Sequence, residues 1–211
     1  MTIGIYILII LVLGYISVYL RERWLNAPWM MPLTWLGIFI HECSHALFCL
    51  LSGGKVTGFR VTSREGYITH YRPTVPIIGP MATAIAPMML GLVVIGLLDH
   101  FWLKTSLSIT SADILQNFVN VLSSLNPLRW QAWIMLALLL NVGVMLGPSI
   151  EDLKNIWPLV LLSFFIHSES LAKVLSLVIG LIAVNILLFL IIIIARIIWT
   201  KKRTTTRIVH Q

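Results

Sequence analysis

The chain reads as long apolar runs separated by short polar stretches. The first run covers about residues 3–20 and closes at "RERW". The second covers about 33–52, with Pro32 before it and Gly53-Gly54 after it, the punctuation that starts and stops helices. A third covers about 77–98, a fourth about 129–147 and a last one about 174–195. Before the last, residues 156–168 form a shorter apolar stretch containing Pro158. Roughly 20 apolar residues make a helix long enough to cross the hydrocarbon core. The pattern predicts an all-α polytopic membrane protein with five or six transmembrane helices, forming a single membrane-embedded domain over residues 1–211. The first run has no basic lead-in and no small-residue cleavage site, so it predicts a retained span rather than a signal peptide.

Two segments depart from this pattern. Residues 55–71, "KVTGFRVTSREGYITHY", interleave β-branched and aromatic side chains with polar ones around "SREG". That predicts one small β-hairpin between helices 2 and 3. In residues 111–127, Ile114, Leu115, Phe118, Val119, Leu122 and Leu125 share one stripe, with Gln116, Asn117, Asn120 and Ser123 off it. With Ser111 as N-cap and Pro127 as stop, this predicts an amphipathic helix lying on the membrane interface. In the third run, Ala82 and Ala86 offer a small-residue face for close packing, and Pro87 predicts a kink. Asn185, the strongly polar residue of the last run, predicts a helix–helix hydrogen bond.

Composition sharpens the class. Hydrophobic residues make up 58% of the 211 and charged residues 11%, less than half of the roughly 25% usual in a soluble domain. A large soluble domain is excluded. The net charge is +7, and five of the fifteen Lys and Arg fall in the tail at 196–211, "RIIWTKKRTTTRIVHQ". Under the positive-inside rule this basic tail predicts a cytoplasmic C-terminus. No aromatic-basic patch elsewhere calls for nucleic acid as a partner. If residues 156–168 cross, there are six spans with both ends cytoplasmic; otherwise there are five, with the N-terminus outside. The Lys and Arg divide more unevenly in the first case, so the rule favours six. Trp24, Trp29 and Trp35 suit the membrane interface near the start of the second span. Cys43 and Cys49, six apart on one helix, point to different faces and predict no mutual disulfide.

Against this apolar background, the second run carries "IFIHECSHALFCLLSGG". On a helix, positions i and i+4 lie on one face about a turn apart. His41 and His45 can therefore aim imidazole nitrogens at one metal ion. Glu42 lies about 100° further round, able to act on a water without occupying a ligand position. This is the physical content of H-E-x-x-H: two zinc ligands and a general base. An ionisable residue deep in a span costs on the order of 2.5 kcal/mol or more unless it is partnered. A polar cluster satisfied only by helix–helix hydrogen bonds would not need this spacing.

Catalytic zinc takes three protein ligands and keeps one open position. The third can come from Asp152, Glu151, His70, Asp99 or His167. Asp152 is favoured, because it lies just past the Gly147-Pro148 break in the acid-bearing segment 148–154, where a broken helix can turn a side chain back into the bundle. Its competing reading is purely local: Ser149-Ile150-Glu151-Asp152 is an S-x-x-D helix N-cap pattern.

With these residues in view, "HECSHALFCLLSGGKVTGFRV", "IIGPMATAIAPMMLG" and "LGPSIEDLKN" in that order resemble the site-2 protease family of intramembrane zinc metalloproteases, in particular its small, compact members. The resemblance covers roughly residues 33–160. It implies His41, His45 and Asp152 as zinc ligands and Glu42 as catalytic base. The family's Asn-Pro…Asp-Gly setting is not reproduced: no Gly follows Asp152, and Asn141 lies further upstream than usual. Asn141 is the candidate for binding unwound substrate or the developing oxyanion. The expected substrate is a transmembrane protein and the expected surroundings are the lipid bilayer of a prokaryotic cell membrane. Two other readings are a catalytically silent binding module of the same fold and a small proton-coupled transporter, the latter unsupported by any internal repeat.

Overall fold

The computed structural model describes residues 2–25, 28–62, 66–71, 74–103 and 111–209, with side chains as far as Thr200. Helix α1 spans Ile3–Trp24 and α2 spans Met31–Leu51. Strands β1, Val56–Val61, and β2, Gly66–His70, form the hairpin, paired antiparallel with Phe59 opposite Ile68 and Val61 opposite Gly66. Helix α3 spans Ile78–Leu98 and runs through Pro87 without a break into a short π-helical turn at Asp99–Leu103. Helices α4, Ile114–Ser123, α5, Trp130–Leu146, α6, Ile150–Ser163, and α7, Glu169–Val209, complete the chain. The expected hairpin turn at Ser63, Arg64 and Glu65, and the tail side chains beyond Thr200, lie outside the described residues.

The end of α2 shows how local sequence sets the hairpin. Gly53 takes a left-handed φ of 75°, which a residue with a Cβ rarely adopts. Gly54 N then donates to Cys49 O at 2.9 Å and Gly53 N to Leu50 O at 3.0 Å. These are the paired bonds of a Schellman stop, and they turn the chain straight into β1.

Helix α5 is apolar all round, and its second half is enclosed all round: Leu138 to Leu146 are buried without interruption, while Trp130 and Trp133 face outward. Helices α1 and α7 pack along each other, and both pack on α5. Lipid gives no hydrophobic drive between helices, so close contacts and polar pairs do the specifying. Ser17 Oγ donates to Asn185 Oδ1 at 2.5 Å, and Asn185 Nδ2 donates to Leu139 O at 2.7 Å, tying α1, α7 and α5 together. Gly143 makes room, since a Cβ there would overlap Ser17 and Asn185. The helix–helix bond expected of Asn185 is present.

The span count corrects the preference for six. Four helices are long and apolar enough to cross alone, while α5 and α6 qualify only together, as one span bent by 77°. The count is five. The contacts agree: Ser17 meets Asn185, and Arg196 Nη1 donates to Trp24 O at 2.7 Å, so residue numbers rise together along α1 and α7. Parallel first and last helices require an odd number of crossings. The physical reason is the Gly147-Pro148 break, which leaves 17 and 14 residues on its two sides, each short of a full crossing.

Two smaller expectations change. The N-cap of α4 is Asp113, whose Oδ1 accepts from Leu115 N at 2.8 Å; Ser111 Oγ accepts from Asp113 N one step earlier. The helix is amphipathic as expected, with apolar residues of its stripe looking outward. Asn117 is fully buried and donates to Ser176 Oγ on α7 and to Ser111 O, while Leu115, Val119 and Leu122 face outward. On α3 the buried small residues are Gly79, Thr83, Ala84, Ala86 and Gly91, with Ala86 buried as expected and Ala82 only partly so.

Candidate metal centre

Helix α2 places His41 and His45 on one face, buried against α3 and α5. Their Nε2 atoms are 3.1 Å apart. His45 Nδ1 lies 2.9 Å from Thr83 O on α3. A carbonyl only accepts, so His45 carries its proton on Nδ1 and turns the lone pair of Nε2 toward His41.

Asp152 enters from the start of α6. The break at Gly147-Pro148 is fitted against Gly14 of α1, where an added Cβ would stand 3.0 Å from Gly147 Cα and Pro148 Cδ. After the break, Ser149 caps α6 in a complete capping box with Asp152. Ser149 N and Ser149 Oγ both donate to Asp152 Oδ2, at 2.8 and 2.7 Å. The other oxygen, Oδ1, faces His45 Nε2 at 3.4 Å, and Oδ2 is 3.8 Å from His41 Nε2. N-capping and convergence on the histidines, alternatives when read from sequence, are both present in one carboxylate.

Among the described residues, His41, His45 and Asp152 form the group able to hold a metal, with ligand atoms all within 4.8 Å of one another. Ligands at about 2.0–2.1 Å around tetrahedral zinc stand about 3.3 Å apart. The Nε2–Nε2 separation of 3.1 Å and the His45 Nε2–Asp152 Oδ1 separation of 3.4 Å lie close to that value. The donor set, two imidazoles and a carboxylate, is also one that zinc takes in catalytic sites. The residues present fit the ion.

Glu42 is buried beside this cluster and lines a groove of about 870 Å³ together with His41, His45 and Asp152. Strand β2 forms one wall through Gly66, Tyr67 and Ile68, and α3 another through Pro80, Thr83 and Ala84. A Cβ on Gly66 would fall 2.9 Å from Glu42 Oε1 and closer still to its Cγ, so glycine is what lets the strand lie over the glutamate. Phe59 of β1 meets Phe39 edge-on at 6.4 Å, and Phe39 stacks on Trp35, which anchors the hairpin along α2. A smaller cavity of about 160 Å³ reaches His41 and Glu42 from another side, past Arg21, Glu22 and Val144.

The other ligand candidates stay outside the cluster. Glu151 is exposed and pairs with Lys154 at 2.6 Å. His70 is exposed at the groove, 3.1 Å from Tyr71 O. Asp99 sits on the π-helical turn after α3, and His167 is exposed beyond α6. Asn141 is not turned to the groove. Its Oδ1 accepts from Gly37 N at 2.6 Å, and its Nδ2 donates to Leu33 O and Ala137 O, both at 2.8 Å. The substrate-binding candidate thus spends its amide on α2 and on its own helix. Sequence reading missed Gly37, Gly66 and Thr83; glycine in a helix and a main-chain carbonyl carry no readable signal.

A family model described as Peptidase M50B-like matches residues 3–166, most of the chain and all of the cluster. No curated protein and no solved structure matches.

Proposed function

The chain belongs to the Peptidase M50B-like, site-2 protease family, and from that premise we propose that it is an intramembrane zinc metalloprotease hydrolysing peptide bonds in or beside the transmembrane segments of membrane proteins. The observation that carries this reading is the convergence of His41, His45 and Asp152 on one point of a groove that Glu42 also lines. His41, His45 and Asp152 would hold zinc, which supplies Lewis-acid polarisation of the scissile carbonyl and lowers the pKa of water at the site to about 7. Glu42 is the general base: it takes the proton of the attacking water and delivers it to the leaving amine. Thr83 O and Ser149 orient His45 and Asp152 from outside the cluster.

A transmembrane helix hides its peptide bonds in i→i−4 hydrogen bonds. The substrate must unwind before attack, and its freed backbone then needs partners in a site without bulk water. Strand β2 offers them by strand addition along the groove, and Gly66 lets an extended backbone come close to Glu42. The protein is integral to the membrane by its apolar helices. We place it in the cell membrane of a prokaryote, with the basic C-terminal tail in the cytoplasm.

The test is Glu42→Gln in the full chain, reconstituted with zinc and a helical reporter substrate. Zinc content should match wild type while cleavage falls by about 100-fold or more. Normal cleavage by the variant overturns the mechanism, and a wild type that binds zinc without cleaving any helical reporter favours the silent binding module.

A further inference from the structure

We propose that Asn141 is a positioning residue that pins α5 to α2 in the register that brings Asp152 to the two histidines; this deepens the metalloprotease reading and rests on it. The geometry is specific. Gly37 N and Leu33 O are the two ends of one i→i−4 step of α2, and the Asn141 side chain bonds to both, at 2.6 and 2.8 Å. That step lies one turn before His41 on the same helix face, since 37, 41 and 45 are spaced four apart. Gly37 makes the approach possible: a Cβ there would stand 2.7 Å from Asn141 O and 3.3 Å from Asn141 Cα. The two backbones are therefore in contact at the pin.

A pin is needed because of how the ligands are distributed. His41 and His45 ride on α2, but Asp152 arrives eleven residues after Asn141, across the Gly147-Pro148 break. Apolar packing between helices tolerates sliding, and a slip of one residue moves a side chain by about 1.5 Å along the axis and about 100° around it. Hydrogen bonds to fixed backbone groups do not tolerate it. Asn141 is buried, so its amide has no water to exchange these partners for. The remainder of the path is short and stiff: Val144 and Gly147 line the small cavity together with His41, and Gly147 closes on Gly14 of α1.

The experiment uses the purified full chain in detergent, with zinc alone as the probe. Asn141→Leu keeps the size and removes the bonds; Gly37→Ala pushes the helices apart from the other side; Asn141→Ser is the milder variant if the first does not accumulate. Chelator competition should show zinc affinity down about tenfold or more in the first two. The double variant should be little worse than either, because both break one contact. With zinc saturating, kcat should fall and KM for a helical reporter stay near wild type. Raised KM with unchanged zinc affinity would make Asn141 a substrate contact and overturn the proposal, as would a lowered melting temperature with zinc affinity intact. Should the wild type bind no zinc, the metalloprotease reading fails by itself. Amide hydrogen exchange then still decides the pin: faster exchange at Gly37 in Asn141→Leu supports it, and unchanged exchange overturns it.

Discussion

Ser149 grips Asp152 from both its backbone amide and its hydroxyl, and both bonds end on the same oxygen, Oδ2, at 2.8 and 2.7 Å. The carboxylate is thereby rotated so that Oδ1 looks at His45. A helix cap thus doubles as the outer support of a candidate metal ligand. Usually such supports are separate side chains brought in from elsewhere. Here two residues of one turn, Ser149 and Asp152, supply both, so the orientation of the carboxylate and the start of α6 stand or fall together.

Ser149→Ala removes the hydroxyl and leaves the amide bond. Zinc affinity should fall by about 10- to 100-fold by chelator competition. Stability should drop by about 1 kcal/mol from the lost cap. Ser149→Thr, which keeps the oxygen, should recover most of both. Equal zinc affinity in Ser149→Ala and wild type would detach the cap from the metal site.

Asp152→Asn and Glu151→Gln separate two neighbours that sequence leaves close. Glu151 is exposed and paired with Lys154, whereas Asp152 faces both imidazoles. Zinc should be lost in Asp152→Asn by more than the roughly 100-fold that outer-shell changes reach, and retained in Glu151→Gln. Metal quantification on the two proteins side by side reads this directly. Zinc lost in Glu151→Gln and kept in Asp152→Asn would reverse the assignment.

Gly66→Val puts a branched side chain where β2 crosses Glu42. The strand must lift or the glutamate must turn away. Cleavage of a helical reporter should drop by about 100-fold, as expected for a misplacement on the order of 1 Å at a reacting group. Zinc affinity should stay within about threefold of wild type, because a side chain at Gly66 first meets Glu42 and Ile38, neither of them in the cluster. Undiminished cleavage in this variant would remove the hairpin from the site.

The parallel run of α1 and α7 puts the start of α1 and the end of α7 on opposite faces of the membrane. Compartment-specific reporters fused to the two ends should therefore report different sides. Matching signals from both ends would mean that α6 crosses by itself, against the parallel run of α1 and α7 marked by Ser17–Asn185 and Trp24–Arg196.

The hairpin, the helical runs and the H-E-x-x-H face were all legible because each depends on a period within one segment. Period 2 gives a strand its two faces, and a spacing of four puts His41 beside His45 on any helix. The Asn185 bond was legible for another reason: a strong amide in an otherwise apolar span has to find a partner. Ser149 and Asp152 were visible as a cap, but their spacing was silent about what the carboxylate would face. At α4 the amphipathic pattern was legible, but not what its polar side would meet. Burial of Asn117 against Ser176 decided which side turned inward, and neither residue reveals the other.

By itself, then, the sequence determined what each segment would become and which side chains would share a face. Which segment lies against which was decided only in three dimensions. Gly37 admits the Asn141 backbone, Gly14 receives the break at Gly147, and the bend there delivers Asp152 rather than Glu151 to the histidines. The physical reason is that apolar helices in lipid attract one another with little discrimination, so their arrangement rests on a few close backbone contacts and buried polar pairs between residues far apart in the chain.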